Sequence, residues 1–254
     1  MHQIQGFTPR LYQSNIMNTA IQANTLICLP TGRGKTKVGL MLAIHRLNNF
    51  PNSKVIFLTP TKPLATQIAT EFKACSSLEK VEVFTGQIKP EKREEMFKAS
   101  DVIVSTPQGM SNDIINRKID LRNVSLIVFD ECHRSVGDYD YVWIAKQYNK
   151  VANYPRIIGL SASPGSDLEK ITEVCNNLFI EDIEVRTDND EDLKPYVQET
   201  KVRYDLVELP EDFKESLNYL NVCLKERLTI LKEFELVQSI TSVSKTMLLK
   251  MQKE

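Results

Sequence analysis

Glycine is scarce in this 254-residue chain, at nine residues, which excludes collagen-like and low-complexity architectures. Charge of one sign is also lacking: 32 Lys and Arg stand against 33 Asp and Glu, a formal net charge of −1. Bulk positive charge therefore cannot draw the chain to nucleic acid, and any such binding must rest on local groups. The five cysteines, Cys28, Cys75, Cys132, Cys175 and Cys223, are odd in number and never spaced as CxxC. That argues against a disulfide framework and against a structural zinc site. No apolar run approaches the ~18 residues of a membrane span; the runs are short, such as Leu126-Ile127-Val128-Phe129. Residues 1–10 are polar and lack the apolar core of a signal peptide. These absences point to the cytoplasm, or to the nucleus of a nucleated cell, and away from the membrane.

What is present is ordinary globular material, 42% hydrophobic and 26% charged. At roughly 150 residues per domain the length allows one sizeable core and a smaller appendage. Short β-branched runs at 25–29, 54–59, 81–84, 101–105, 126–129 and 156–160 show little polar alternation, as strands buried on both faces do. Between them lie segments of helical period at 36–48, 64–74, 90–99, 141–151 and 167–177. Alternating strands and helices predict an α/β fold, a mostly parallel sheet with helices on both faces. In such folds ligands sit at the carboxyl ends of the strands, so the residue types that follow each strand carry the chemistry.

After the first strand comes Pro30-Thr31-Gly32-Arg33-Gly34-Lys35-Thr36 and then a helix. A strand, a glycine-bearing turn and Gly-Lys-Thr form the P-loop arrangement, although the general pattern has glycine where this chain has Leu29. Gly32 and Gly34 let backbone N–H groups turn inward around a phosphate, and the helix N-terminus adds positive potential. Lys35 would reach the β- and γ-phosphates of ATP and the Thr36 hydroxyl would bind Mg²⁺. The fifth strand ends in Asp130-Glu131-Cys132-His133. Two acids closing an apolar strand need a partner, which a nucleotide's Mg²⁺ supplies. Asp130 would hold the metal through water, and Glu131 would orient and deprotonate an attacking water. Cys132 reads as a small buried filler. His133, directly after the acids, reads as a link from the hydrolysis site to another motif.

The motifs, in this order, resemble those of superfamily 2 helicases of the DExH type, over residues 7–210, and specifically their first RecA-like domain. Arg10-Leu11-Tyr12-Gln13 looks like the adenine-recognising element, with Arg10 and Gln13 its cofactor-binding residues. Thr59-Pro60-Thr61-Lys62-Pro63-Leu64 is similar to motif Ia, Thr85-Gly86 follows the third strand, and Ser105-Thr106-Pro107-Gln108 is similar to motif Ib. Ser161-Ala162-Ser163 is similar to the Ser-Ala-Thr coupling motif, with Ser163 in place of threonine. By resemblance, Thr61, Lys62, Pro63, Thr85, Gly86, Thr106 and Gln108 would touch the phosphates of one strand. Contacts of that kind hold a backbone without reading bases, and they weaken with salt. Pro60 to Leu64, Leu126 to His133 followed by Val136-Gly137-Asp138-Tyr139, Ser161 to Ser166 and Glu184-Val185-Arg186 together look like the branched-DNA translocase family of archaeal Hef and Fanconi anaemia group M. That family implies an ATP-driven motor on forked DNA, active in the repair of stalled replication forks.

The composition changes after residue 180. Residues 181–192 hold seven acids and one base, Arg186, and Lys194-Pro195 follows; this stretch, 181–195, reads as a solvated connector. Residues 201–209 alternate like a strand. Pro210-Glu211-Asp212 opens a helix, and Leu217, Leu220, Leu224, Leu228 and Leu231 form an apolar stripe along it. The expected division is a RecA-like domain over 1–209 and the start of a helical insertion over 210–254. The resemblance implies a second RecA-like domain, supplying an arginine, that has no counterpart here. This piece alone is then expected to bind ATP–Mg²⁺ yet turn it over slowly and unwind nothing. Two other readings stay open: a DExH motor on double-stranded RNA, and a non-catalytic nucleotide-dependent clamp on nucleic acid. A P-loop kinase would have no use for Asp-Glu-Cys-His followed by Ser-Ala-Ser.

Overall fold

The computed structural model describes residues 1–162, 168–197, 204–237, 239, 243–244 and 247–248. The chain divides into two compact units, residues 1–198 and 199–254. In the first, helices α1 (Leu11–Gln22), α2 (Lys35–Asn49), α3 (Lys62–Cys75), α4 (Pro90–Ala99), α5 (Pro107–Ile115), α6 (Asp140–Val151) and α7 (Leu168–Asn177) alternate with seven strands. The strands are β1 (Thr25–Cys28), β2 (Lys54–Leu58), β3 (Val81–Phe84), β4 (Val102–Ser105), β5 (Val124–Asp130), β6 (Ile157–Ser161) and β7 (Asp182–Val185). They form one sheet in the order β3-β4-β2-β5-β6-β1-β7, and every pairing is parallel.

The near-continuous apolar strands follow from burial on both faces. Ile27, Val55, Phe57 and Val128 point to one side, where Tyr12, Ile16, Leu40 and Phe72 of α1 to α3 cover them. Leu26, Ile56, Leu58, Ile127 and Phe129 point to the other, under Phe97, Met110, Tyr141, Tyr148 and Val174 of α4 to α7. Most of these helices bury a stripe, as 3.6-residue periodicity dictates, whereas α2 is buried on all sides from Val38 to Ile44. Three of the helices that follow strands carry a proline in their first turn, Pro63, Pro90 and Pro107. A preset φ and a missing N–H cost nothing at that position.

Two expectations for the region after residue 180 are corrected. Residues 182–185 are a strand, β7, paired along its length with β1. The segment beyond it folds back: Arg186 bonds Asp192 and Glu184, and Leu193 is fully buried. Glu181, Glu184, Asp188 and Asp192 are ion-pair partners, and the stretch, though largely exposed, is a sheet edge and its return rather than a connector. Residues 201–203 of the expected strand lie outside the described residues, and residues 204–209 carry no regular structure. In the second unit α8 (Glu211–Glu233) starts after Pro210 with Glu211 and Asp212 in its first turn. Of its leucine stripe, Leu217, Leu220 and Leu224 are exposed and Leu228 is buried. Among the described residues no helix is long and apolar enough to cross a membrane.

Candidate active site

The carboxyl ends of β1 and β5 flank that of β6, and the segments leaving them enclose a cavity of about 410 Å³. Thr31, Gly32, Gly34, Lys35 and Thr36 line it from the loop and the first turn of α2, and Asp130 and Glu131 from the end of β5. The loop bends through two left-handed glycines, Gly32 at φ +77° and Gly34 at φ +72°. Gly34 is the N-cap of α2 and accepts the Lys37 N–H at 3.1 Å; the N–H groups before it have no acceptor within the helix, which suits a helix N-terminus to an anion. Leu29, where the general pattern has glycine, is fully buried in the core, so the departure is a packing choice.

Lys35 Nζ donates to Leu29 O at 2.9 Å, across the loop's own mouth. Burial lowers the Lys35 pKa from its ordinary value, against the charges of Glu131 and Asp130. Burial, then the charge of Glu131, raises that of Asp130, against a hydrogen bond from Thr59. Thr59 Oγ1 donates to Asp130 Oδ2 at 3.2 Å. One ammonium and two carboxylates thus face one cavity, each partly desolvated, with the lysine resting on a backbone carbonyl. An anionic polyphosphate for the lysine and helix terminus, and a hard dication for Asp130 and the Thr36 hydroxyl, are the complement of this set. A nucleoside triphosphate with Mg²⁺ fits it.

Glu131 is held at φ +50°, ψ +46°, a left-handed conformation that costs a non-glycine residue roughly 1–2 kcal/mol. Such strain persists where surrounding structure enforces it. Here Tyr141 Oη donates to Asp130 O at 2.9 Å and to Leu58 O at 3.2 Å, tying the end of β5 to that of β2. Beyond Glu131 the chain makes one 3-10 turn, Cys132–Arg134. Cys132 is fully buried, and His133 Nδ1 lies 3.4 Å from Glu131 Oε2 and 3.4 Å from Ser161 Oγ. His133 therefore stands between the acid and the end of β6. Ala162 follows, exposed, and Ser163 lies outside the described residues.

The segment before α1 completes the other wall. Arg10 caps α1 and Gln13 is 2% exposed; both line the cavity with Phe7 and Thr8. Gln13 Nε2 donates to Gly34 O at 3.4 Å, and Tyr12 Oη to Arg33 O at 2.7 Å, so α1 grips the phosphate loop from outside. Arg33 is the loop residue whose side chain turns away: it pairs with Asp188 at 2.9 Å and donates to Tyr196 O at 3.2 Å. The Arg10 guanidinium lies 5.0 Å from the Tyr196 ring centroid. Sequence reasoning passed over Phe7, Thr8, Lys37, Gln67 and Glu71, which also line the cavity. Their convergence is tertiary and leaves no local signal, although Phe7 stands three residues before Arg10.

The residues expected to meet a nucleic-acid backbone lie elsewhere on the same edge, at the ends of β2, β3 and β4. Thr61 and Thr106 are the N-caps of α3 and α5. Thr61, Lys62, Pro63, Gly86 and Gln108 are exposed, and Thr85 and Thr106 partly so. With strands ~4.8 Å apart, the sheet separates the end of β3 from that of β1 by roughly 24 Å. The two sets share one edge and do not overlap.

Comparison with known proteins gives the same grouping. The model of the DEAD/DEAH box helicase family matches residues 10–171. A putative ATP-dependent RNA helicase of Methanocaldococcus jannaschii is 39% identical over 244 residues, 95% of this chain and 31% of that protein. The Fanconi anemia group M protein homolog of Mus musculus is 33% identical over 90% of this chain and 12% of its own length. The ATP-dependent DNA helicase fml1 of Schizosaccharomyces pombe is 37% identical over 79% of this chain and 24% of its own. The crystal structure of the Hef helicase domain of Pyrococcus furiosus superposes with a TM-score of 0.75 at 44% identity, covering 95% of this chain and 52% of that one. This chain spans about a third or less of these curated relatives.

Proposed function

Because this chain belongs to the DEAD/DEAH box helicase family, we propose that it is the nucleotide-binding half of an ATP-dependent motor on DNA, and on forked or branched DNA in particular. The observation that carries the reading is the single cavity shared by Lys35, Thr36, Asp130 and Glu131. Lys35 and the first turn of α2 would hold the phosphates, Thr36 and Asp130 the Mg²⁺, and Phe7, Arg10 and Gln13 the base end. The bound Mg²⁺–nucleotide supplies a charge-neutralised phosphoryl group as the energy source. Glu131 would take the proton from the attacking water, its strained backbone holding the carboxylate at the cavity wall. His133, within reach of Glu131 and Ser161, would carry the site's state toward the β6 end. Lys62 and the loops after β3 and β4 would hold one strand by its backbone, independently of sequence.

The DNA assignment draws on the name of the fission-yeast relative, an ATP-dependent DNA helicase; the RNA-helicase name of the archaeal relative favours a second reading, a motor on RNA duplexes. The 52% coverage of the Hef helicase domain supports a second RecA-like domain in the native protein. Unit 199–254 would be the beginning of a helical insertion before it. Without that partner's arginine, hydrolysis would be slower by roughly 10³–10⁵-fold. Two measurements test this. Titration of the chain with a fluorescent ATP analogue and Mg²⁺ should saturate, while its ATPase should not respond to DNA. For the full-length protein, forked DNA should compete with RNA duplex in stimulating turnover. Robust DNA-stimulated turnover by the 254 residues alone, or preference of the full protein for RNA duplex, would overturn the respective part.

A further inference from the structure

Three loops on the carboxyl edge are joined by a single line of contacts. Lys62 Nζ, after β2, donates to Gln87 Oε1, after β3, at 2.6 Å, although β4 lies between those strands in the sheet. The turn carrying Gln87 closes through Ile88 N–H donating to Thr85 O at 3.0 Å. Arg93, one turn into α4, clasps that turn from below: Nη1 donates to the carbonyls of both Thr85 and Ile88. Its Nε and Nη2 form a two-point bond with Asp113 Oδ2 and Oδ1 at 2.6 and 2.5 Å. Asp113 belongs to α5, the helix that Thr106 caps. Arg93 is 8% exposed and Asp113 2%.

Burying an ion pair is an expensive way to hold two helices together, since apolar side chains of similar volume do so at no desolvation cost. A guanidinium does something they cannot. It reaches a carboxylate and two carbonyls at once, in fixed directions. We propose that Arg93 is a positioning residue for nucleic-acid binding. Through Asp113 and the turn at residues 85–88, it sets the spacing of Lys62, Thr85–Gly86 and Thr106–Gln108 to match the phosphates of one strand. The inference rests on the reading above, in which those groups face a nucleic-acid backbone; Arg93 itself touches none of it. A phosphate chain has a regular repeat, so three loops that each moved freely would lose binding even with every contacting side chain intact.

The test uses the full-length protein and single-stranded DNA. Arg93→Lys keeps the charge and loses the fork. The DNA concentration for half-maximal ATPase stimulation should rise about tenfold, while KM for ATP and turnover at saturating DNA stay within about twofold. Gln87→Ala, an exposed change that leaves the core untouched, should raise that concentration about threefold with the melting temperature unmoved. The double variant should be less than additive, because both act through one turn. If Arg93→Lys does not fold, Gln87→Ala decides in the same way. The proposal is overturned if both variants leave the half-maximal concentration within about twofold, or if Arg93→Lys weakens ATP and DNA equally. A wild-type protein without any DNA-dependent response would remove the nucleic-acid reading and this proposal together. A responsive wild type with unmoved variants removes Arg93's role alone.

Discussion

Gly34→Ala is the perturbation whose cost the structure dictates most directly. Gly34 sits at φ +72°, ψ +40°, where a Cβ costs roughly 1–2 kcal/mol. A Cβ built there stands 2.7 Å from Gln13 Nε2, so the amide must move and lose its bond to Gly34 O. Its Oε1 then also releases the Arg10 N–H, held at 3.0 Å. Each of these bonds is worth about 0.5–1 kcal/mol. The sum is about 2–4 kcal/mol. Gly32 is the internal control: its φ is +77°, but no atom lies within 4 Å of an added Cβ, so Gly32→Ala carries only the backbone cost of about 1–2 kcal/mol. Trp143, the chain's one tryptophan, lies in α6 of the first unit, and its fluorescence reports that unit's unfolding on heating or in denaturant. Gly34→Ala should lower the melting temperature by about 5–10 °C, more than Gly32→Ala by about 3 °C. It should also weaken nucleotide binding, since Gln13 leaves the cavity wall. Equal losses for the two alanines would refute the argument that α1 braces the phosphate loop through Gln13.

The other predictions concern the acids and their supports. In the full-length protein Glu131→Gln should leave ATP affinity within about threefold and cut hydrolysis by about 10²–10⁴, whereas Lys35→Ala should abolish nucleotide-dependent activity; retained turnover in Glu131→Gln would remove its role as base. Asp130 has a folded pKa above its ordinary value, so wild-type stability falls as pH rises through the folded pKa. Asp130→Asn should therefore unfold at higher denaturant than wild type at neutral pH, and the two should converge below about pH 4; a pH-independent difference would contradict the sign. Tyr141→Phe strips a donor from two buried carbonyls and should cost about 1–2 kcal/mol in the same assay, with no loss counting against the tie between β2 and β5.

The P-loop, the acidic motif and six strands were legible because each couples a local period to residue types with few other uses. β7 was not. Asp182 and Glu184 alternate there with Ile183 and Val185, which are about half exposed, so four residues inside an acidic run lack the apolar stretch of a central strand; its pairing with β1 makes it a strand. Residues 204–209 err in the opposite direction, alternating like a strand yet carrying no regular structure. Helix α1 hides its purpose because its buried face includes Tyr12 and Gln13, polar groups whose partners, Arg33 O and Gly34 O, come from another element. Arg33 reads as a loop residue facing the phosphates, yet it reaches outward to Asp188, a partner that only the β7 return brings near. Tyr141 reads as an ordinary apolar helix position, and only the packed structure shows its hydroxyl between Leu58 O and Asp130 O.

The strand order has a consequence for how the chain acquires its activity. β1 comes first in sequence, yet Thr25 lies opposite Ile158 on one side and Asp182 on the other. Both neighbours of the strand that aims the phosphate loop are made last. During synthesis α1, β1 and α2 emerge with no sheet to join, while β2, β4 and β5 can pair first. Closing so long a loop is slow, and domains fold as their segments leave the ribosome. The cavity beside Lys35 is thus flanked by strands that are synthesised last. A nucleotide bound there would add stability by binding the native state alone. A chain interrupted before residue 185 would keep the entire Gly-Lys-Thr motif and still lack a strand on one flank of β1.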